Sequence, residues 1–252
     1  GMFQSIKQIG SKIKGYEDSV SIKELEASYY FPLKVIKKRR IKRITLRVSH
    51  IDGIVKLTMP LNFKLGEAKR FVDKQIHWLE EKLQNVGPFY PVVPGIIMPI
   101  NGQKKRLSIE EGINLDFYLS SNSLIFPKNF KPLNLQVRDF LKQRARNFFT
   151  SSCDLYSRKL GTSYRSVNIK DPKTRWGSCS SEGNIMFSWR LMMAPPQVSD
   201  YVAAHEVAHL VHLNHSSAFW ETVAQICPNY REHRLWLREN GRSLHKFIFT
   251  LK

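Results

Sequence analysis

Cysteine is scarce in this sequence: three among 252 residues, at Cys153, Cys179 and Cys227. Their odd number and wide spacing argue against a disulfide framework and for a reducing, cytoplasmic compartment. Each is read as a small core residue rather than a metal ligand. Long hydrophobic runs are missing too. No apolar stretch approaches the ~20 residues of a membrane span, and no signal-peptide core with a small-residue cleavage site is found. Acidic residues are few: 21 Asp and Glu stand against 40 Lys and Arg, a formal net charge of +19. Such an excess attracts anions, most simply nucleic acid. No nucleic-acid-binding motif accompanies it, so a solvated basic surface serving solubility stands equally open. The rest is the composition of a folded soluble chain, 42% hydrophobic and 12% aromatic, long enough for one large domain or two smaller ones.

Taken in order, residues 1–30 form an N-terminal segment of uncertain structure. Within it, Phe3 to Lys14 alternate isoleucines with lysines, as a surface amphipathic helix or a loosely packed terminus would. Residues 31–132 read as a β-rich, mostly antiparallel region with one helix. The basic run Lys34, Lys37, Lys38, Arg39, Arg40, Lys42, Arg43 and Arg47 ends in alternation: Ile44, Leu46 and Val48 face one way, Arg43, Thr45 and Arg47 the other. That is a half-buried strand, and Asp52-Gly53 turns it towards Val55, Leu57 and Met59. A helix is expected over 66–84, and a hairpin at Asn101-Gly102 between Ile96–Ile100 and Lys105–Ile109. Leu115, Phe117 and Leu119 alternate again. Pro127 to Pro132 reads as a linker.

Residues 133–252 read as the chemical half. A long helix over about 135–160 is ended by Gly161. Val167 and Ile169 suggest a strand, and Ile185 to Trp189 a second one returning after a turn at Gly183. An exposed edge strand here could hold a peptide by backbone hydrogen bonds. Ser216 or Ser217 caps one further helix, and Asn229 caps a last one ended by Gly241.

Four of the eight histidines lie between His205 and His215. His205 and His209 are four apart, so on a helix they share one face about a turn from each other. Two imidazoles so placed can grip Zn²⁺, and Glu206 is positioned to take a proton from an activated water: the H-E-x-x-H arrangement of zinc peptidases. Pro195-Pro196 suits the start of that helix, and the apolar residues between the ligands suit its burial. A third ligand is needed. His212 is one more turn along the same face, too far for one ion. Asn214 tolerates the left-handed conformation that would end the helix, which favours His215. Glu221 or Glu232, completing a His₂Glu set, is the rival. The competing reading is a nucleic-acid-associated protein with a structural zinc site.

Several stretches resemble the YgjP-like metallopeptidases, zincins related to the SprT-like proteins. They are Lys173–Ser180, Ser188 to Pro196, Asp200-Tyr201-Val202, His205–Leu210 and Asn214-His215-Ser216 through Phe219-Trp220. The basic strand, Pro60 and the helix carrying Trp78 also fit. The resemblance implies an α+β fold with a zincin-like metallopeptidase domain over 133–252. It implies that His205, His209 and His215 bind Zn²⁺, that Glu206 is catalytic, and that a peptide or protein is the substrate. Arg175 and Tyr201 are the expected oxyanion or substrate contacts, with Arg175 equally a structural ion-pair partner.

Overall fold

The computed structural model describes residues 21–29, 31–50, 53–84, 86 and 88–250. The isoleucine–lysine stretch at 3–14 and Asp52 of the expected turn lie outside them. The chain falls into two compact units that meet in sequence between Pro88 and Phe89.

In the first unit, α1 (Ile22–Ala27) precedes β1 (Leu33–Lys38), β2 (Thr45–Val48), β3 (Val55–Pro60), α2 (Leu65–Lys74) and α3 (Ile76–Gln84). β3 is central because it is the most apolar strand: Val55, Leu57 and Met59 are fully buried. They close a core with Leu25, Leu33, Ala68, Val72 and Leu79. β2 runs antiparallel to β3, as its alternation and the left-handed Gly53 (φ +67) lead one to expect, but β1 pairs with β3 in parallel. The single helix expected over 66–84 is two, because Gln75 closes α2 with its N–H on the Val72 carbonyl. All eight basic residues of the Lys34–Arg47 run are exposed.

The second unit opens with β4 (Tyr90–Pro91), β5 (Ile97–Ile100), β6 (Gln103–Glu110), β7 (Tyr118–Leu119) and β8 (Ser123–Pro127). It continues through α4 (Leu133–Lys159), β9 (Ser166–Lys170), β10 (Gly177–Cys179), β11 (Asn184–Ser188) and a 3₁₀ turn at Trp189–Met193. Then come α5 (Pro196–Ala208), α6 (Ser217–Ile226), α7 (Tyr230–Leu244) and β12 (Phe247–Ile248), which pairs with β4. The class is α+β, with mixed sheets. One has the order β5-β6-β8-β7 and the other β10-β11-β9. β8 is parallel to β6 because the chain first runs out to the far edge as β7 and re-enters beside β6.

The division expected at 132 lies inside this second unit. Met98, Ile100, Leu107, Leu124 and Phe126 bury their apolar face in the same core as Val137 and Leu141 of α4 and Val202 and Val207 of α5. Nor is 127–132 a free linker: Gln136 Nε2 donates to the carbonyls of Pro127 (3.0 Å) and Lys131 (2.8 Å). The Asn101-Gly102 hairpin forms as expected, both residues left-handed. Its two amides donate to the carbonyls of Met192 and Met193, and a side chain at Gly102 would fall 3.0 Å from Pro195. The hairpin tip therefore fixes where α5 begins. α5 is buried nearly all round, as an apolar helix without an amphipathic stripe must be. No described helix is long and apolar enough to cross a membrane.

The C-terminal end of the unit is held by one buried cation. Arg190, 9% exposed, donates Nε and Nη2 to the Asp171 carboxylate and Nη1 to the carbonyls of Leu244 and Phe247, both at 2.9 Å. Its guanidinium also lies over Trp189 and Phe249. Removing it leaves two carbonyls without their donor beside a part-exposed carboxylate, a loss of about 1–3 kcal/mol. Arg190→Met should therefore lower stability several-fold more than Arg165→Met. The latter breaks a 3.7 Å pair with Glu182 whose side chains are 70% exposed, worth about 0–1 kcal/mol. Urea midpoints followed by tryptophan fluorescence measure both, and equal shifts would contradict this account.

Candidate metal centre

α5 stops early. It ends at Ala208 with His209 as its C-cap residue. The next amides bond three residues back instead of four: His209 to Glu206, Leu210 to Val207 and Val211 to Ala208. This tightened turn, rather than a left-handed Asn214, reverses the chain, and φ at Asn214 is not positive. His212 is consequently off the helix. Ser216 then caps α6 by accepting the Phe219 amide, which restarts the chain as a helix on the far side of the histidines.

The reversal brings His205, His209 and His215 together, with one ring nitrogen from each lying within 4.8 Å of the others. Nε2 of His205 and Nε2 of His215 are 3.2 Å apart. His212, Glu221 and Glu232 are not in this group. The three residues fit a divalent cation on the chemistry of their outer atoms. Nδ1 of His209 lies 3.1 Å from the His212 carbonyl, an acceptor only, so Nδ1 carries the proton and Nε2 the lone pair. Nδ1 of His205 lies 3.3 Å from the Tyr201 hydroxyl. With Nδ1 engaged on the outside, Nε2 of each ring is left for the centre. Burial, with repulsion from His209 and His215, pushes His205 down to about 3, and burial likewise lowers His209. Both rings are held neutral, the form that binds metal.

Aromatic rings wall the centre. Phe219, fully buried, stacks on His209 at 4.4 Å, and Trp220 stacks on His215 at 5.9 Å. Glu206 is 6% exposed and lies against the edge strand β10. A Cβ at Gly177 would fall 2.9 Å from Glu206 Cγ and 3.1 Å from Oε1, so only glycine admits the carboxylate there. Burial pushes Glu206 up to about 8, opposed by the positive charge of Arg175. A divalent cation on the histidines would pull it back down.

Arg175 is thus electrostatically within reach of the site, on the exposed loop before β10. Tyr201 is buried one turn before His205, with its hydroxyl behind the imidazole at Nδ1. The i, i+4 spacing of Tyr201 and His205 was the available signal for that contact. The His212 carbonyl and the closeness of Gly177 to Glu206 had no signal in side-chain chemistry.

The solved structure of the metallopeptidase zymogen of Pyrococcus abyssi abylysin is similar at 23% identity and a TM-score of 0.33, over 36% of this chain and 93% of that one. No curated protein matches. The family model of the YgjP-like metallopeptidase domain matches residues 42–240, from the strand-forming basic run of the first unit to the last turns of α7. The chain belongs to the YgjP-like metallopeptidase family.

Proposed function

We propose that the chain is a zinc-dependent peptidase in which His205, His209 and His215 hold the metal and Glu206 is the general base. The observation that carries this is the convergence of three imidazole nitrogens beside a buried carboxylate at a sheet edge. Bound zinc would supply Lewis acidity, activating a water and polarising a scissile carbonyl. Glu206 takes the proton of the attacking water on a carboxylate oxygen and delivers it to the leaving amine nitrogen. Arg175 favours the charged form of Glu206 and is the cation we assign to a developing oxyanion. Tyr201 and the His212 carbonyl orient His205 and His209. β10, an edge strand, offers backbone groups to an extended peptide.

The alternative, a nucleic-acid-associated protein with a structural zinc, has less support. Among the described residues no fourth His, Cys, Asp or Glu joins the three histidines, whereas structural sites usually close with four. The exposed basic run lies in the first unit, away in sequence from this chemistry. Cys153, Cys179 and Cys227 are unpaired, in keeping with a cytoplasmic setting.

Three variants test the reading. Glu206→Gln keeps the size and removes the base. Its zinc content should match the parent's, while cleavage of a denatured-protein or peptide-library substrate falls about 10²–10⁴-fold. Undiminished cleavage would refute the mechanism, and loss of zinc would make Glu206 structural.

His215→Ala should lose zinc and the thermal stabilisation that zinc addition gives the parent. His212→Ala should keep both, because its contribution is a backbone carbonyl. Metal analysis and melting curves decide, and equal losses in the two would remove His215 from the ligand set.

Gly177→Ala places a methyl against Glu206. It should lower kcat by about tenfold or more, as small displacements of catalytic groups do, with zinc content unchanged. Parent-like turnover would show that Glu206 has room to spare.

A further inference from the structure

Next to the histidines lies an open pocket of about 610 Å³ whose lining includes Ser217, Trp220, Glu221, Tyr230, Arg231 and Arg234. Its floor is aromatic: the rings of Trp220 and Tyr230 stack at 5.3 Å and 21°. Each ring carries a cation. The Arg234 guanidinium sits 4.6 Å from the Trp220 ring, and that of Arg231 sits 5.6 Å from the Tyr230 ring, with Nε donating to the Tyr230 hydroxyl at 3.3 Å. Three residues apart, the two arginines share one face of α7.

Most cations among the described residues are exposed to solvent. These two are placed by stacking, which costs an arginine little entropy on binding. Stacking also leaves the N–H donors of Arg234 and the Nη donors of Arg231 at the guanidinium edge, and those donors match a carboxylate in a bidentate grip. Among the described residues no acceptor is bound to Arg234, and neither arginine is ion-paired, although Glu221 lines the same pocket.

One residue, Trp220, is shared by the pocket and the histidines. Trp220 also neighbours His215, stacked at 5.9 Å, and His205, edge-on at 5.6 Å. Arg234 is near enough to act electrostatically on both His205 and Tyr201. An extended peptide advances about 3.3 Å per residue. A group a few residues along from a bond held at the histidines therefore reaches the arginines.

Resting on the peptidase reading, we infer that the Arg231–Arg234 pocket over Trp220 and Tyr230 is a recognition subsite for a carboxylate of the peptide substrate. That carboxylate is either an acidic side chain or the free C-terminus.

The test reads binding without cleavage. Zinc-loaded Glu206→Gln protein is immobilised and offered degenerate peptide mixtures carrying Glu or Gln at one fixed position, each with a free or amidated C-terminus, in about 0.15 M salt. The Glu mixture should be retained about tenfold more than the Gln mixture if a side chain is read. The free acid should be retained about tenfold more than the amide if the terminus is read, about what one charge-assisted hydrogen bond supplies.

Arg231→Gln/Arg234→Gln should abolish that preference with zinc content unchanged. Arg234→Gln alone serves if the double variant loses zinc. Arg39→Gln/Arg40→Gln, which removes the same charge from the first unit, should keep it. No preference, a preference that survives in the Arg231/Arg234 variant, or one lost equally in the Arg39/Arg40 variant would each overturn the subsite. Cleavage of the same mixtures by the parent is measured separately. If nothing is cut, the peptidase reading fails whatever the retention shows. If peptides are cut but retention ignores the carboxylate, only the subsite fails.

Discussion

Three imidazole nitrogens can crowd within 4.8 Å of one another only because the helix that carries the first two breaks off immediately after the second. Had α5 run on, His215 would stand about 9 Å further along the axis than His209. The exchange of four-residue for three-residue hydrogen bonds at 209–211 reverses the chain within one turn. The same break frees the His212 carbonyl, and that carbonyl accepts a hydrogen bond from Nδ1–H of His209. One local event thus returns the third histidine and sets the tautomer of the second. The surrounding fold serves this arrangement: the hairpin at Asn101-Gly102 fixes the start of α5, and the Ser216 cap sets α6, with Phe219 and Trp220, against its end.

The centre is electrostatically unbalanced without a cation. Burial disfavours the charged forms of three groups in it: His205 and His209 are kept neutral, and Glu206 is pushed towards its neutral acid. Arg175 offsets the cost for Glu206 only in part. A divalent ion would satisfy them together, giving the imidazole lone pairs a partner and making the carboxylate the favoured form of Glu206. The fold must hold such a site against its own preference. That requires rigid support, and the unit supplies it in the largely buried helix α5, in Phe149 stacked on Phe187, and in the Arg190 cluster that ties Asp171 to the carbonyls of Leu244 and Phe247.

What could be read from the sequence was what is decided locally. Pro195-Pro196, Asn101-Gly102, Gly161 and Ser216 act on their own backbone, and each stands where its turn or cap chemistry puts it. The H-E-x-x-H spacing is equally local, and it places His205 and Glu206 on one buried helix with His209 at its cap. What escaped was decided by partners far along the chain. The alternating residues of 97–126 say that one face is buried, not that α4 and α5 bury it, so the unit boundary fell at 88 and not at 132. Gly241 looked like a helix end. It lies inside α7, because the Trp176 ring fills the space its side chain would need, with Cζ2 3.0 Å from a would-be Cβ. Nearness in sequence puts Tyr201 by the histidines, and only its rotamer decides that the hydroxyl turns to the outer nitrogen of His205.

The net charge of +19 has no single meaning once the side chains are placed. The basic run of the first unit is exposed along its whole length, and such groups are hydrated and screened within about 8 Å at physiological salt. Their summed field can raise the local concentration of an anion but cannot orient one. Arg190 has the opposite fate, buried and committed to protein acceptors on all sides. Arg231 and Arg234 occupy the ground between: exposed enough to meet a ligand, and stacked firmly enough on Tyr230 and Trp220 to meet it in one geometry. Specific recognition needs both properties together, since a buried cation has no free donors and a free one pays in side-chain entropy for every contact it makes. Selectivity in this chain therefore belongs to the few arginines that aromatic rings hold still beside the histidines, and not to the charge as a whole.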